Sequence, residues 1–346
     1  MSVSARMYLG TNNGVVTLAK NGEWSVESRG LQGWSIPRIA VDPSSPNRLF
    51  AGTLGNGVWL SEDAGKSWDK PSYGKKGPGK VRGMTLHPDD PNTIYVGNEP
   101  IDLYMSKDAG ETWTTFDSIW SIPSVESVVF PSRAIEPHLR DIVIKPDDPN
   151  TMYVALQVGY MLKSEDGGAS WRLLDKGLDA DVHSIAMNPT NTSEMVIATG
   201  GYQSRGGKVA GRALYRSEDG GESWSPTAMD FPHTYSDPLI RHPQNPQILF
   251  ASLGLGEPPE WSRPSGAETI FVRSEDGGKS WEAIEGALPT DGKLFLGALD
   301  LDEQDNDRLY GAMRGGDMIT STNGGTTWTS LGVEVPPVNH IKLARA

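Results

Sequence analysis

One eight-residue motif recurs six times in this 346-residue chain and limits the fold more than any other feature. It has the form S-x-D-x-G-x-x-W, with Asn in place of Asp in the last copy. The copies begin at residues 61, 106, 164, 217, 274 and 321, so the intervals are 45, 58, 53, 57 and 47 residues. A repeat of roughly 40–50 residues with a turn signal in every copy is typical of a propeller or an array of small sheets.

Each copy of the motif predicts the turn of a β-hairpin. Alternating apolar residues precede it, as in Val58-Trp59-Leu60. The Asp side chain is suited to capping a tight turn, the Gly tolerates a positive φ, and the Trp begins the returning strand and buries a large ring. Asn323 in the last copy supports the same kind of turn.

A second repeated pattern lies between the motif copies, as in residues 38–53, 83–98 and 141–156. Each of these segments reads as a strand, a turn rich in Pro, Asp and Asn, and a second strand. Together with the motif hairpin this gives four strands per repeat. The 40 Gly and 25 Pro, together about 19% of the chain against a usual ~12%, also disfavour a mostly helical fold.

The two chain ends complete one more repeat. Residues 7–27 match the last three strands, with Trp24 at the position of the motif Trp, and residues 339–346 match a first strand. The sequence therefore predicts an all-β fold, a seven-bladed β-propeller of four-stranded antiparallel blades. Pairing of the N- and C-terminal strands closes the ring and leaves no free edge. We expect residues 1–346 to form this single domain.

The S-x-D-x-G-x-x-W motif resembles the Asp-box, or bacterial neuraminidase repeat, and its six copies run through most of the chain. The resemblance implies a propeller like those of sialidases, xyloglucan hydrolases with paired propellers, sortilin-type receptors and a photosystem II assembly factor. In that family the box is structural and lies away from the active site, so the resemblance implies a fold more than a function. Sialidases have six blades and a Phe-Arg-Ile-Pro signature, whereas this chain has seven repeats and Ile36-Pro37-Arg38-Ile39, which argues against sialidase activity.

The net charge of −13, from 31 basic and 44 acidic residues, disfavours nucleic acid and anionic membranes as partners. The chain has no cysteine, which excludes disulfides, thiolate nucleophiles and cysteine-ligated metal sites. No apolar segment approaches the ~20 residues of a membrane span, and the first residues lack the core of a signal peptide. We expect a soluble cytoplasmic protein, or a secreted one if a leader was removed.

The loops of unusual length all belong to one face of the predicted ring. If the strands of a blade are A to D from the axis outward, the short A–B and C–D turns lie on one face, named here the lower face. The B–C and D–A connections lie on the opposite, upper face, and they include the long segments 117–137, 200–212 and 254–268. Long loops over one end of a closed scaffold usually carry function, although neutral drift also lengthens tolerant loops. We expect a site at the upper mouth of the central channel.

Residues that enter the A strands lie nearest the axis, and alignment of these strands gives two columns rich in ionisable side chains. One column includes Arg140, His183 and Asp237, and the other, two positions earlier, includes His138, Asp181 and Tyr235. The predicted catalytic residues are His138, Arg140, His183, His233, Tyr235 and Asp237. A divalent metal on the propeller axis is a second prediction, with the ligands His138, His183, His233 and His340. Acid–base or substrate contact by these imidazoles, and ordinary solvated loops, are the alternatives.

Further residues of the upper face are predicted to bind the substrate. These are Trp34, Arg38, Arg82, Glu99, Arg205, Glu257, Trp261 and Arg314. Guanidinium groups suit a carboxylate and indole rings stack on sugars, but the same arginines pair with nearby acids and the same tryptophans anchor loops. A glycosidase requires two carboxyl groups beside the scissile bond. The candidates are Glu99, Asp141, Asp237, Glu257 and Asp317.

These residues favour an enzyme, a glycosidase-like hydrolase or a lyase, that acts on a small, anionic or carbohydrate-like molecule at the upper mouth. The alternative is a non-catalytic scaffold that binds a protein or peptide partner on the same face. A module that only binds carbohydrate is a third reading. Ionisable groups deep in the mouth favour the enzyme, whereas a plugged mouth with apolar loop tips would favour the scaffold.

Overall fold

The structure is a computed structural model that describes residues 4–126, 136–201, 212–284, 286, 288 and 292–345. Its strands form seven antiparallel sheets, and the innermost strands of successive sheets contact one another in a closed circle. The fold is therefore the predicted seven-bladed β-propeller. Among the described residues six blades have four strands, and a single bridge between Leu60 and Asp69 replaces the fourth strand of the remaining blade.

The strands follow one another as A, B, C and D within each blade. In chain order they are β1 (Ala5–Thr11), β2 (Gly14–Asn21) and β3 (Glu23–Gly30); β4 (Arg38–Val41), β5 (Leu49–Gly52) and β6 (Val58–Ser61); β7 (Lys80–His87), β8 (Asp90–Glu99), β9 (Asp102–Ser106) and β10 (Thr114–Thr115); β11 (Leu139–Ile144), β12 (Met152–Leu156), β13 (Tyr160–Ser164) and β14 (Arg172–Leu174); β15 (Val182–Met187), β16 (Met195–Thr199), β17 (Leu214–Ser217) and β18 (Ser225–Pro226); β19 (Tyr235–Arg241), β20 (Leu249–Gly254), β21 (Ile270–Ser274) and β22 (Glu282–Ala283); β23 (Leu296–Asp302), β24 (Asp305–Met313), β25 (Met318–Ser321) and β26 (Thr329–Ser330); and β27 (Val338–Arg345). Blades 1 to 6 begin with β4, β7, β11, β15, β19 and β23. Two 3-10 helices (Asp117–Ser121 and Pro258–Ser262) and the α-helix α1 (Pro123–Glu126) lie in the connections.

Blade 7 closes the ring from both ends of the chain, in the strand order β27-β1-β2-β3. The register places Leu9 opposite Ile341 and Ala5 opposite Arg345. The predicted pairing of the terminal strands is thus confirmed. Because Ile341 is 2% exposed and packs with Met7 and Leu9, the closure also buries apolar surface.

The repeated motif forms the C–D turn by a fixed set of hydrogen bonds, which the copy at 274–281 illustrates. Asp276 Oδ1 accepts from the amides of Lys279 (2.9 Å) and Ser280 (3.0 Å), and its Oδ2 accepts from the Ser280 hydroxyl (2.6 Å). Gly278 has φ +87°, a conformation that glycine adopts without strain. The capping and glycine predictions for this turn are confirmed, and Trp281 is buried against the preceding blade.

Polar contacts also join neighbouring blades at the axis. Asp141 Oδ2 accepts from the Ile185 amide (2.9 Å), and Asp300 Oδ2 accepts from the Leu343 amide (2.8 Å). A cavity of about 720 Å³ lies along this axis, and its walls are apolar side chains of the A strands together with residues of the A–B turns on the lower face. Arg38, Asp141 and His340 also line it. The A strands therefore carry charged groups to the upper end of the channel.

The described part of the long segment 117–137 packs into the body of the propeller. Ile119 and Val125 are buried in one apolar cluster with residues of the third blade, and Ser118 donates a hydrogen bond to the Gly168 carbonyl (2.6 Å). Residues 117–126 thus pack between blades 2 and 3, where the side chains of Ile119 and Val125 are buried. Residues 127–135 lie outside the described residues.

Candidate functional site: the upper mouth of the propeller

A β-bulge interrupts the A–B pairing near the upper end of the blades. Within the described residues it occurs in blades 2 to 7, where one or two residues of the A strand have no partner in the ladder. The unpaired residues are Arg82, Arg140, His183, Asp237 with Pro238, Gly297 and Asn339. Bulges re-aim side chains and are frequent beside active sites. Several predicted site residues therefore occupy equivalent positions around the axis.

Arg140 and Asp237 span the axis from blades 3 and 5. The Arg140 Nη2 lies 2.5 Å from Asp237 Oδ2, and both side chains keep some solvent exposure. Burial opposes the charges of both groups. The ion pair outweighs burial, so the pKa of Arg140 is raised and that of Asp237 is lowered. This pair is the centre of the upper mouth.

Arg38 lies beside this pair and donates to two backbone carbonyls, those of Pro37 (3.1 Å) and Arg140 (3.2 Å). Burial lowers its pKa, against the opposing effect of Asp141 and Asp237. Asp141 is engaged by the amides of Ile142 and Ile185, and its pKa is raised by burial. The carboxyl and guanidinium groups at the axis are thus mostly committed to one another and to the backbone.

A second ion-paired group lies on blade 2. The buried Glu99 accepts from Arg82 Nε (2.7 Å) and Lys80 Nζ (3.1 Å), and these partners hold its pKa low despite burial. His138 Nδ1 lies 4.0 Å from Glu99 and 2.9 Å from the Glu136 carbonyl. Burial and the Arg82 charge lower the pKa of His138 to about 3, which makes its imidazole neutral at ordinary pH. Glu99 is therefore a paired structural acid.

The third group joins His183, Asp181 and Tyr235 between blades 4 and 5. His183 is fully buried, with Nδ1 2.8 Å from the Ser236 carbonyl and Nε2 3.3 Å from Asp181 Oδ2. The Tyr235 ring packs on the imidazole at 4.8 Å between centroids. Burial raises the pKa of Asp181, but the positive charges of His183 and Arg140 outweigh it and the pKa is lowered. Asp181 is 13% exposed, so this anion is in reach of the mouth.

Glu257 is the exposed acid next to this group, at the start of the 3-10 helix Pro258–Ser262. Its pKa is raised by partial burial and by the charges of Asp181 and Glu260. Asp181 and Glu257 thus interact electrostatically, and their pKa values are displaced in opposite directions. Two carboxyl groups with this division favour an acid and a base in one site.

An aromatic wall borders the same part of the mouth. Trp261 stacks on Phe295 at 4.6 Å, and Tyr235 meets both rings edge-on. The guanidinium of Arg314 lies over the Trp261 ring, 4.7 Å from its centroid, and over Phe295 at 5.1 Å. The Trp261 indole donates to the carbonyls of Leu255 and Gly256, so it also anchors its loop.

The remaining predicted residues contact other partners, and His340 lines the axial cavity together with Arg38 and Asp141. His233 Nε2 contacts the Glu268 carbonyl (2.7 Å), and His340 Nδ1 accepts from the Ile39 amide (3.2 Å). Trp34 is exposed, and Arg205 lies outside the described residues. Over the part of the chain that the structure describes, no three His, Asp or Glu side chains are arranged to hold a metal ion. The predicted ligands His138, His183, His233 and His340 instead contact separate partners, so the metal prediction finds no support.

Sequence reasoning gave no role to two residues that the structure places in the site. Asp181 precedes His183 by two positions and stood in the ionisable column of A-strand entries, which was the available signal. Nothing in the sequence alone indicated that Gly200 belongs to the site. A Cβ there would lie 2.0 Å from Asp181 Oδ2 and 3.1 Å from His183 Nε2, so any side chain at this position would displace the Asp181 carboxylate.

Fold and site together define a seven-bladed propeller with an ionisable cluster at one mouth. No protein-family model and no curated protein matches the chain. Among solved structures it is similar to the GH74 xyloglucanase from Xanthomonas campestris (TM-score 0.70, 17% identity, 95% of this chain and 53% of that one). It is also similar to the GH74 enzyme from Niastella koreensis (0.65, 14%, 94% and 54%) and to YCF48 bound to D1 peptide (0.57, 14%, 100% and 99%).

The chain spans about half the length of these two GH74 chains and nearly all of the YCF48 chain. At such low identities the likeness shows the fold alone, and the neighbours include both enzymes and a peptide-bound protein. None of the helices in the described ranges is long and apolar enough to cross a membrane.

Proposed function

We propose that the protein is a hydrolase that cleaves a glycosidic bond in a carbohydrate-like molecule at the upper mouth. Glu257 is the general acid, and Asp181 is the carboxylate that activates water or attacks the sugar. The observation that carries this proposal is the opposite displacement of the two pKa values, raised for Glu257 and lowered for Asp181. Glycoside hydrolysis requires one carboxyl group that gives a proton and one that is ionised, and a raised and a lowered pKa favour these two roles.

The other carboxyl groups of the mouth are less suited to the chemistry. Glu99 is held by Arg82 and Lys80, Asp237 by Arg140, and Asp141 by two backbone amides. Donors already occupy oxygen atoms of these three carboxyl groups, so the groups are less available to transfer a proton, activate water or attack a sugar. A hydrolase is preferred to a lyase because one carboxyl group with a raised pKa and one with a lowered pKa match hydrolysis.

The surroundings of the pair support a sugar substrate. Trp261 is partly exposed, and its indole is of the kind that stacks on sugar rings, whereas Phe295 is buried behind it. The exposed Arg314 beside Trp261 offers guanidinium donors for an anionic substituent. The GH74 neighbours add support because one of them is named as a xyloglucanase. An anionic oligosaccharide is therefore the preferred substrate class.

Release of reducing ends from a panel of neutral and acidic oligosaccharides tests the proposal. Glu257→Gln and Asp181→Asn are expected to lower kcat/KM by at least about 10²-fold, since each removes one proton-transfer or nucleophilic role. Glu282→Gln on the outer strand β22 makes the same chemical change far from the mouth and serves as the control. If a substrate is cleaved and both mouth variants retain wild-type rates, the site is wrong. If no member of the panel is cleaved, the proposed activity is refuted for these substrates.

Peptide binding at the same mouth is the second candidate. The observation that favours it is the whole-length match to YCF48 bound to D1 peptide, which covers 100% of this chain and 99% of that chain. On this reading Arg314 and Trp261 anchor a peptide that carries an acidic end. Fluorescence polarisation with labelled peptides ending in acidic residues tests it. Binding that Arg314→Ala weakens at least about 10-fold supports it, and equal binding by the variant removes the mouth as the binding surface.

A further inference from the structure

We propose that His183 is a positioning residue that is present as an imidazolium and keeps Asp181 ionised and oriented. The proposal deepens the proposed hydrolysis, because it concerns the carboxylate assigned there as base or nucleophile. It rests on the arrangement of acceptors around the ring. His183 itself is buried and touches no substrate in this arrangement, so it acts through Asp181.

Both ring nitrogens of His183 face oxygen atoms that only accept hydrogen bonds. Nδ1 lies 2.8 Å from the Ser236 carbonyl oxygen, so Nδ1 carries a hydrogen and donates it. Nε2 lies 3.3 Å from Asp181 Oδ2. A neutral ring with its hydrogen on Nδ1 would direct the Nε2 lone pair at a carboxylate, which is repulsive in a buried site. A hydrogen on both nitrogens removes the conflict and makes the pair an imidazolium and a carboxylate.

The pair is closed off from water on several sides. His183 has no exposed surface, and the Tyr235 ring covers one face of the imidazole. Gly200 lies so near that a methyl group there would overlap Asp181 Oδ2. Burial opposes both charges, but solvent does not screen this contact fully, so the attraction between the two groups is stronger than for a surface pair and offsets that cost.

The charged groups around His183 come from every element packed on it. Asp181 precedes its own strand β15, Tyr235 and Asp237 are on β19, Arg140 is on β11, and Glu257 is in the loop above. The positive charge of His183 contributes to the lowered pKa of both Asp181 and Asp237. Without it, Arg140 would still act on both carboxyl groups, and Arg38 and Arg314 would still act on Asp237. The neutral His138 nearby does not replace that charge.

Nitrogen-15 NMR of the full-length protein, labelled at histidine, tests the protonation state without any substrate. The His183 signals are assigned as those absent from His183→Gln, or by through-bond correlation if that variant does not fold. Both ring nitrogens are expected to show the protonated type of shift at pH 7, and Asp181→Asn is expected to return Nε2 to the unprotonated type. An unprotonated Nε2 in the wild type at pH 7 overturns the proposal. Because this measurement needs no catalysis, it remains decisive if the proposed hydrolase activity fails.

The pH dependence of kcat/KM separates an effect of the His183 charge from a merely structural effect of its side chain. Gln can donate a hydrogen bond to Asp181 but carries no charge, so His183→Gln is expected to raise the acid limb of the pH profile of kcat/KM by about 1–3 pH units. An unchanged thermal midpoint is the check on folding. An acid limb that stays in place while kcat falls shows a merely structural role and contradicts the proposal.

Discussion

Closure of the ring by the last strand makes a strong prediction about Ile341. Its side chain is 2% exposed and packs with Met7, Leu9 and Tyr310 of blades 7 and 6. Ile341→Ala removes three carbons, worth about 2.4 kcal/mol of transfer free energy at ~0.8 per methylene. The cavity left behind brings the expected loss to about 3 kcal/mol. At ~2.1 cal/mol/K per residue the unfolding entropy of 346 residues is about 0.7 kcal/mol/K, so Tm falls by about 4 °C.

Ile197→Ala provides the matched control. Ile197 is fully buried and lies on β16 in the interior of blade 4. The two strands that pair with β16 are the ones directly before and after it in the sequence. Urea unfolding followed by tryptophan fluorescence gives the two losses under the same conditions. We expect them to agree within about 1 kcal/mol, since the burial is equivalent.

The comparison is informative because the two losses in free energy of unfolding would differ if the C-terminal strand were loose. If the ring were held without β27, the Ile341 side chain would contribute little, and its replacement would cost less than about 0.5 kcal/mol. A large loss for Ile197→Ala with almost none for Ile341→Ala would refute the closure. A loss for Ile341→Ala near 3 kcal/mol would support the pairing of Leu9 with Ile341.

Three further predictions concern the turn and the site. Asp63→Ala should cost about 1 kcal/mol in urea unfolding, because Asp63 caps its turn through the Ser67 amide and hydroxyl (2.8 and 2.7 Å). The hydrogen bonds from Ser67 lower the pKa of Asp63 to about 2, below the ~3.9 of an unfolded chain. The wild type should therefore be more stable than Asp63→Asn by the full amount above about pH 4, and this difference should disappear as the pH falls toward 2. Measurement of the free energy of unfolding across this pH range tests it. Gly200→Ala should lower the rate of hydrolysis in the oligosaccharide assay at least about 10-fold, because the added methyl would displace the Asp181 carboxylate beside His183. Full activity would contradict this packing.

The architecture was predictable because its causes are local in sequence. A turn motif of eight residues, repeated at regular spacing, determines where each hairpin reverses, and two incomplete ends determine how the ring closes. The Asp276 cap and the positive φ of Gly278 lie within the motif itself. Such contacts follow from residue type and spacing, and they need no knowledge of distant parts of the chain.

The site was predictable only in part, because its contacts are distant in sequence. Alignment of the A strands placed Arg140, His183 and Asp237 in one column, and the structure shows these positions at equivalent bulges. The column could not show that Arg140 would pair with Asp237, 97 residues away, or that His183 would face Asp181. Those choices depend on side-chain reach across the axis, which no local pattern encodes.

The bulges explain how one backbone plan accommodates different chemistry. Equivalent positions in successive blades hold Arg82, Arg140, His183, Asp237 and Gly297, so the ladder does not require any particular side chain there. The blade cores, in contrast, repeat the same apolar residues because every blade buries the same faces against its neighbours. Substitutions at the bulges should therefore change ligand selectivity with small losses of stability, except where an ion pair such as Arg140–Asp237 would leave a buried charge without its partner.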